Sequence, residues 1–138
     1  MVPYPSPSTR QEIEIILARQ LADYLALPII IIDPSHVVVY YNEPAEHMLG
    51  RRFDEERVVL WADWTKTFAF TDDAGRPIPA SKLPMATALR GQRPAHGRFW
   101  LRGLDGETRH VDEIALPLIG STGRFLGALA IFAVRESR

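Results

Sequence analysis

Three stretches near the end of the chain, Ala95 to Arg102, Thr108 to Ile119 and Arg124 to Val134, follow one another with only "GLDG" and "GSTG" between them. Links this short and glycine-rich suit antiparallel hairpins, whereas a parallel neighbour needs a crossover of about a dozen residues or more. Three adjacent antiparallel strands are therefore expected. The middle one contains "RHVDEIALPLI", Arg109 to Ile119, in which the carboxylates Asp112 and Glu113 are adjacent. Successive side chains of a strand point to opposite faces, so if both faces are covered one of the two acids is inside. Alternation alone groups Asp112 with Ile114, Leu116 and Leu118, and Glu113 with Val111 and Ala115.

The residues upstream supply the rest of an α+β domain. Residues 1–8, "MVPYPSPS", carry three prolines and read as a loose arm. From Thr9 to Ala26, Ile13, Ile16, Leu17, Leu21, Tyr24 and Leu25 recur at helical spacing behind a "TRQE" capping box from Thr9 to Glu12. Residues 9–27 thus form an amphipathic helical unit. Pro28 stops it, and "IIIID", "PSH" and "VVVYYN" read as two strands around a turn at Pro34 and Ser35. In "NEPAEHMLG" Asn42 is placed to cap a short helix that Gly50 ends. Arg51 to Phe70 is weakly periodic and offers only short helical turns around Trp61, Trp64, Phe68 and Phe70. "TDDAGRPIP" is a turn by composition, and Ser81 is expected to cap a helix to Arg90 that "GQRP" terminates. A single domain over 28–134, with a five-stranded antiparallel sheet and a tail at 135–138, follows.

Composition removes several functions. The net charge of −1 gives no footprint for nucleic acid, and the interleaved arginines of "GQRPAHGRFWLRG" read as a sheet edge or subunit contact. Cysteine is absent, which removes thiolate metal sites and cysteine nucleophiles. The histidines, at positions 36, 47, 96 and 110, lack metal-ligand spacing, so no metal is expected. No run of about 18 apolar residues can cross a bilayer. A cytoplasmic protein without nucleic-acid or membrane partners is the expectation.

"PIIIIDPSHVVVYYNEPAEHMLG" resembles the opening of a PAS domain, with Asp33, Asn42, Ala45, Leu49 and Gly50 where that pattern puts them. "DDAGRPIPASKLPMATALRG" is similar to the region around the long helix of many bacterial PAS domains, and "LDGETRHVDEIALPLIGSTGRFLGALAIF" to their closing strands. The resemblance covers Pro28 to Val134. It implies a curved sheet with short helices on its concave face, and here an N-terminal amphipathic helix covering the other.

The family register places Val111, Glu113 and Ala115 on the concave face with Phe99, Leu101 and Phe132. With Tyr41, Trp61, Trp64, Phe68 and Phe70 these make the candidate lining of a small-molecule pocket, in which Glu113 stands where relatives usually have a hydrophobe. Glu113 then either anchors a polar ligand or pairs with a tyrosine hydroxyl, a tryptophan N–H, His47 or an arginine. The convex face, carrying Ile29, Ile31, Trp100, Ile114, Leu116, Leu129 and Ile131, is too apolar to leave in water, and the Thr9–Ala26 helix is its expected cover.

The long helix lacks the histidine typical of haem-binding relatives, and the chain lacks the cysteine of flavin photochemistry, so the cofactor stays unknown. The resemblance implies a non-enzymatic sensory module, homodimeric through its N-terminal helix. It would answer to a small molecule or a protein, and act alone, through a separate effector, or with an effector outside this sequence. The alternatives are a small cone-shaped enzyme with Glu113 as general base, and a ligand-free dimerisation scaffold.

Overall fold

A computed structural model describes residues 16–21 and 24–137. The arm at 1–8 and the capping box lie outside them. Residues 16–21 and Tyr24 are helical, and residues 25–28 lead into β1 (Ile29–Ile32). There follow β2 (Val38–Tyr41), α1 (Glu43–Leu49), α2 (Trp61–Thr67), β3 (Ala69–Thr71), a 3₁₀ turn (Ala80–Lys82) and α3 (Pro84–Ala86). A π-type turn (Thr87–Gly91) continues α3, and β4 (Ala95–Arg102), β5 (Thr108–Ile119) and β6 (Phe125–Ser137) close the fold. All neighbouring strands are antiparallel, in the order β2-β1-β6-β5-β4-β3.

The four isoleucines of β1 explain its central place. All are at most 2% exposed, because the strand is flanked by β2 and β6 and covered on both faces. Ile30 and Ile32 join the main core on the concave side, while Ile29 and Ile31 join Leu129 in a second cluster on the convex side. Small residues on β6 let it lie close: at Gly127, with φ +118°, a Cβ would stand 2.1 Å from the Ile32 carbonyl oxygen. Asn42 caps α1 through a bond from the Ala45 amide, and Gly50 ends it in the left-handed conformation.

Two elements differ from the sequence reading. The sheet gains a sixth, three-residue strand, β3, which pairs with Leu101 and its neighbours on β4. Ser81 lies in the 3₁₀ turn and caps no helix; the helix starts at Pro84, whose fixed φ and missing N–H suit a first helical position.

The convex cover is partial. Ala18 of the N-terminal helix packs on the Ile29, Ile31 and Leu129 cluster, and the Arg19 guanidinium sits 4.4 Å from the Tyr40 ring centre. Trp100 is buried at the far end by stacking on His110 and donating to Asp73. Ile114, between them, is 49% exposed.

Candidate functional site

Adjacent positions of β5 face opposite environments. Asp112 is on the rim of the convex face, where Arg98 Nε and Arg135 Nη1 donate to its two oxygens at 2.7 and 3.0 Å. Those bonds hold its carboxyl below the usual range. Glu113 points the other way and is 3% exposed. Burial pushes its pKa up to about 8, with no charge or hydrogen bond from a described residue opposing the shift.

Strand register and one glycine position this acid. Glu113 lies opposite Phe132 on β6 and Gly97 on β4. A Cβ on Gly97 would be 3.0 Å from Pro84 Cγ, so glycine there allows α3 to settle directly on the strand beside Glu113. Leu83 and Met85 then close the cavity from the helical side, Ile30, Ile32 and Ala130 floor it from the sheet, and Trp61, Trp64, Phe70 and Phe132 complete its wall. The space open to the centre of a water molecule is only about 10 Å³. That is room for roughly one water.

A second polar group at this cavity is unsatisfied. Trp64 Nε1 is buried with no hydrogen-bond partner among the described residues. An unmade bond of a buried polar group costs about 1–3 kcal/mol, and such groups are uncommon in native interiors. An orphan indole N–H and an orphan carboxyl therefore share one small, otherwise apolar chamber.

Of the lining expected from sequence, Trp61, Trp64, Phe70, Glu113 and Phe132 meet at this chamber. Phe68, Phe99, Leu101, Val111 and Ala115 are buried in the same core but do not border the space. Tyr41 lies elsewhere: its hydroxyl donates to the Arg52 carbonyl oxygen at 3.2 Å, and its ring faces an outer cleft. Of the protein partners expected for Glu113, the Tyr41 hydroxyl is taken and His47 is on the surface beside Glu43, while the Trp64 indole borders the same chamber. Leu83 and Met85 were not in the sequence-based set, because only the tertiary packing of α3 brings them to the cavity.

The outer cleft was also missed. It is a solvent-open space of about 220 Å³ lined by Val38, Tyr41, Phe53, Val59 and Trp64, with Arg51, Arg52, Arg57 and Asp54. Its sequence signal is "RRFDEER", a charged run around one aromatic residue. Trp64 borders both spaces. Among the described residues no three His, Asp or Glu side chains are grouped to hold a metal ion, and no helix is long and apolar enough to cross a membrane.

No family model and no curated protein matches the chain. Solved structures do. The PAS domain of Bordetella pertussis BvgS superposes with a TM-score of 0.60 at 18% identity, over 91% of this chain and 88% of that one. The PAS domain of nitrogen regulation protein NR(II) from Vibrio parahaemolyticus gives 0.55 at 14% identity, over 86% and 98%. The phage VqmA–DPO complex gives 0.57 at 19% identity, over 94% of this chain and 56% of that one. The helix-flanked sheet described above, with its order of short helices and closing hairpins, is a PAS fold.

Proposed function

We propose that this chain is a sensory signalling module that binds a small molecule in its concave interior, at Glu113 and Trp64, and works as a homodimer. The observation that carries the reading is the pair of unsatisfied polar groups at one chamber. A filled structural core has no use for such a pair, because each member costs stability and gains nothing. At neutral pH the protonated carboxyl and the indole N–H both donate, so the ligand they suit offers a carbonyl or hydroxyl oxygen inside an apolar outline. Since the chamber holds about one water, a larger molecule enters by moving its walls. Met85 is suited to yield, its thioether chain being flexible and tolerant of repacking. The phage VqmA–DPO complex, a structure of similar fold, holds DPO, which supports a ligand-binding role here.

A route outward exists in β1. Ile30 and Ile32 border the chamber, while Ile29 and Ile31 of the same four-residue strand underlie the N-terminal helix. A ligand that binds one position of β1 better than another would bias the helix by that difference in affinity and no more. The general-base alternative has less behind it, because Glu113 is the one acid among the residues that line the chamber and no nucleophile stands beside it there.

The test is native mass spectrometry of protein purified from cells, followed by thermal shift against small carbonyl and hydroxyl compounds. Binding by the wild type that is lost in Trp64→Phe and Glu113→Met supports the proposal. No bound mass, no stabilising compound, and variants that are simply more stable would leave a ligand-free scaffold instead.

A further inference from the structure

The outer cleft has its own chemistry. Tyr41 and Phe53 meet edge to face in its wall, ring centres 5.2 Å apart, and Trp64 adds an indole. Arg51, Arg52 and Arg57 border the same space, and none makes an ion pair among the described residues. This contrasts with Arg19, Arg76, Arg98, Arg109 and Arg135, each of which has a carboxylate partner. The nearby acids Asp54 and Glu46 accept from the backbone and form no ion pair with these arginines. Asp54 Oδ1 accepts from the Glu56 amide at 3.0 Å, and Glu46 Oε2 accepts from the Phe53 amide at 2.6 Å. Together with the Tyr41 bond to the Arg52 carbonyl, these contacts fix the loop that carries the arginines onto β2 and α1.

We propose that this cleft is a binding site for a small aromatic carboxylate, with its ring against Tyr41, Phe53 and Trp64 and its charge on the arginines. Guanidinium forks match a carboxylate in two parallel hydrogen bonds and also stack on aromatic faces, so the two parts of the lining recognise the two parts of one molecule. Size agrees. A cavity of about 150 Å³ accommodates benzene, and 220 Å³ leaves space for the acid group. The site differs from the Glu113 chamber and does not depend on it, but the shared Trp64 gives each a way to sense the other.

The experiment is a nuclear magnetic resonance titration of the full chain with benzoate, and in parallel with neutral benzamide and with acetate, at low and high salt. The expected result is saturable shifts confined to the amides of residues 51–59 and the Trp64 indole N–H. Benzamide and acetate should bind at least ten-fold more weakly, and added salt should weaken benzoate. Arg57→Gln, an exposed change that leaves the fold intact, and the double variant Arg51→Gln/Arg57→Gln should progressively weaken benzoate, the latter at least ten-fold. Glu113→Gln should leave its affinity within two-fold, which separates failure of this site from failure of the inner one. Benzamide binding as well as benzoate, acetate binding as well as benzoate, shifts without saturation, or indifference to both arginine changes would each overturn the proposal.

Discussion

Ionising Glu113 means placing a charge among Trp61, Phe70, Met85 and Phe132 with no described group to stabilise it, which is why its pKa stands near 8. Its folded-state value lies above the ordinary 4.5, so between 4.5 and about 8 the folded protein binds the more protons. Stability from this group is complete at low pH and is lost as pH rises through that window, by up to ~1.4 kcal/mol per pH unit. Glutamine has the same shape and no proton to lose. Glu113→Gln is therefore expected to match the wild type near pH 4.5 and to exceed it by a margin that widens until about pH 8. Urea unfolding at half-unit pH steps measures the margin, and one that stayed constant would show that Glu113 is charged or paired in the folded state. Asp112 acts in the other direction: its lowered value supplies stability above 3.8 that is lost in acid, outside the Glu113 window. That these neighbours divide between faces is legible from alternation. Which face was enclosed is not, because Asp112 has the more apolar companions along β5 and only the family register reversed that inference.

Asn42 shows how one side chain joins three elements. Its Oδ1 accepts from the amides of Ile29 and Ala45, and its Nδ2 donates to the carbonyl of Leu27, in a residue 1% exposed. It thus caps α1, holds the start of β1 and fixes the link from the N-terminal helix. Asn42→Ala is expected to destabilise by about 2 kcal/mol or more, the sum of a lost cap and a buried amide left unpaired. Asn42→Asp, which keeps the acceptor and loses the donor, should recover part of it. Chemical denaturation of both variants checks the order, and an alanine variant of wild-type stability would refute the joint. Both ends of α1 can be read locally, from Asn42 and Gly50, as can the β4–β5 and β5–β6 hairpins from their glycines. The edge strand β3 and the start of α3 cannot. "AFT" becomes a strand only because β4 lies beside it, and Pro84 becomes a helix start only because Gly97 admits it against the sheet. The chamber depends on those two contacts, so its helical wall was hidden along with them.

At the scale of the molecule the unresolved demand is apolar surface on the convex side. Ala18 faces the sheet, while Ile16, Leu17 and Leu21 of the same helix are 50–58% exposed, and Ile114 on β5 is 49% exposed. Among the described residues nothing covers the outer side of this helix, and in the proposed homodimer a copy of the same chain would cover it: a twofold arrangement would set helix against helix and the open part of each sheet beside it. If that dimer forms, breaking it needs no deletion of the helix, which would also uncover Ile29 and Ile31. Leu17→Glu with Leu21→Glu puts two charges on the outer side alone. The expected outcome by size-exclusion chromatography with light scattering is a dimer for the wild type and a monomer for the double variant at equal concentration. The wild type's thermal midpoint should rise with protein concentration while that of the variant stays fixed. A wild type that remained monomeric at about 100 μM, where even a micromolar complex would be saturated, would return this surface to the solvent and leave the interior as the only element of the signalling proposal.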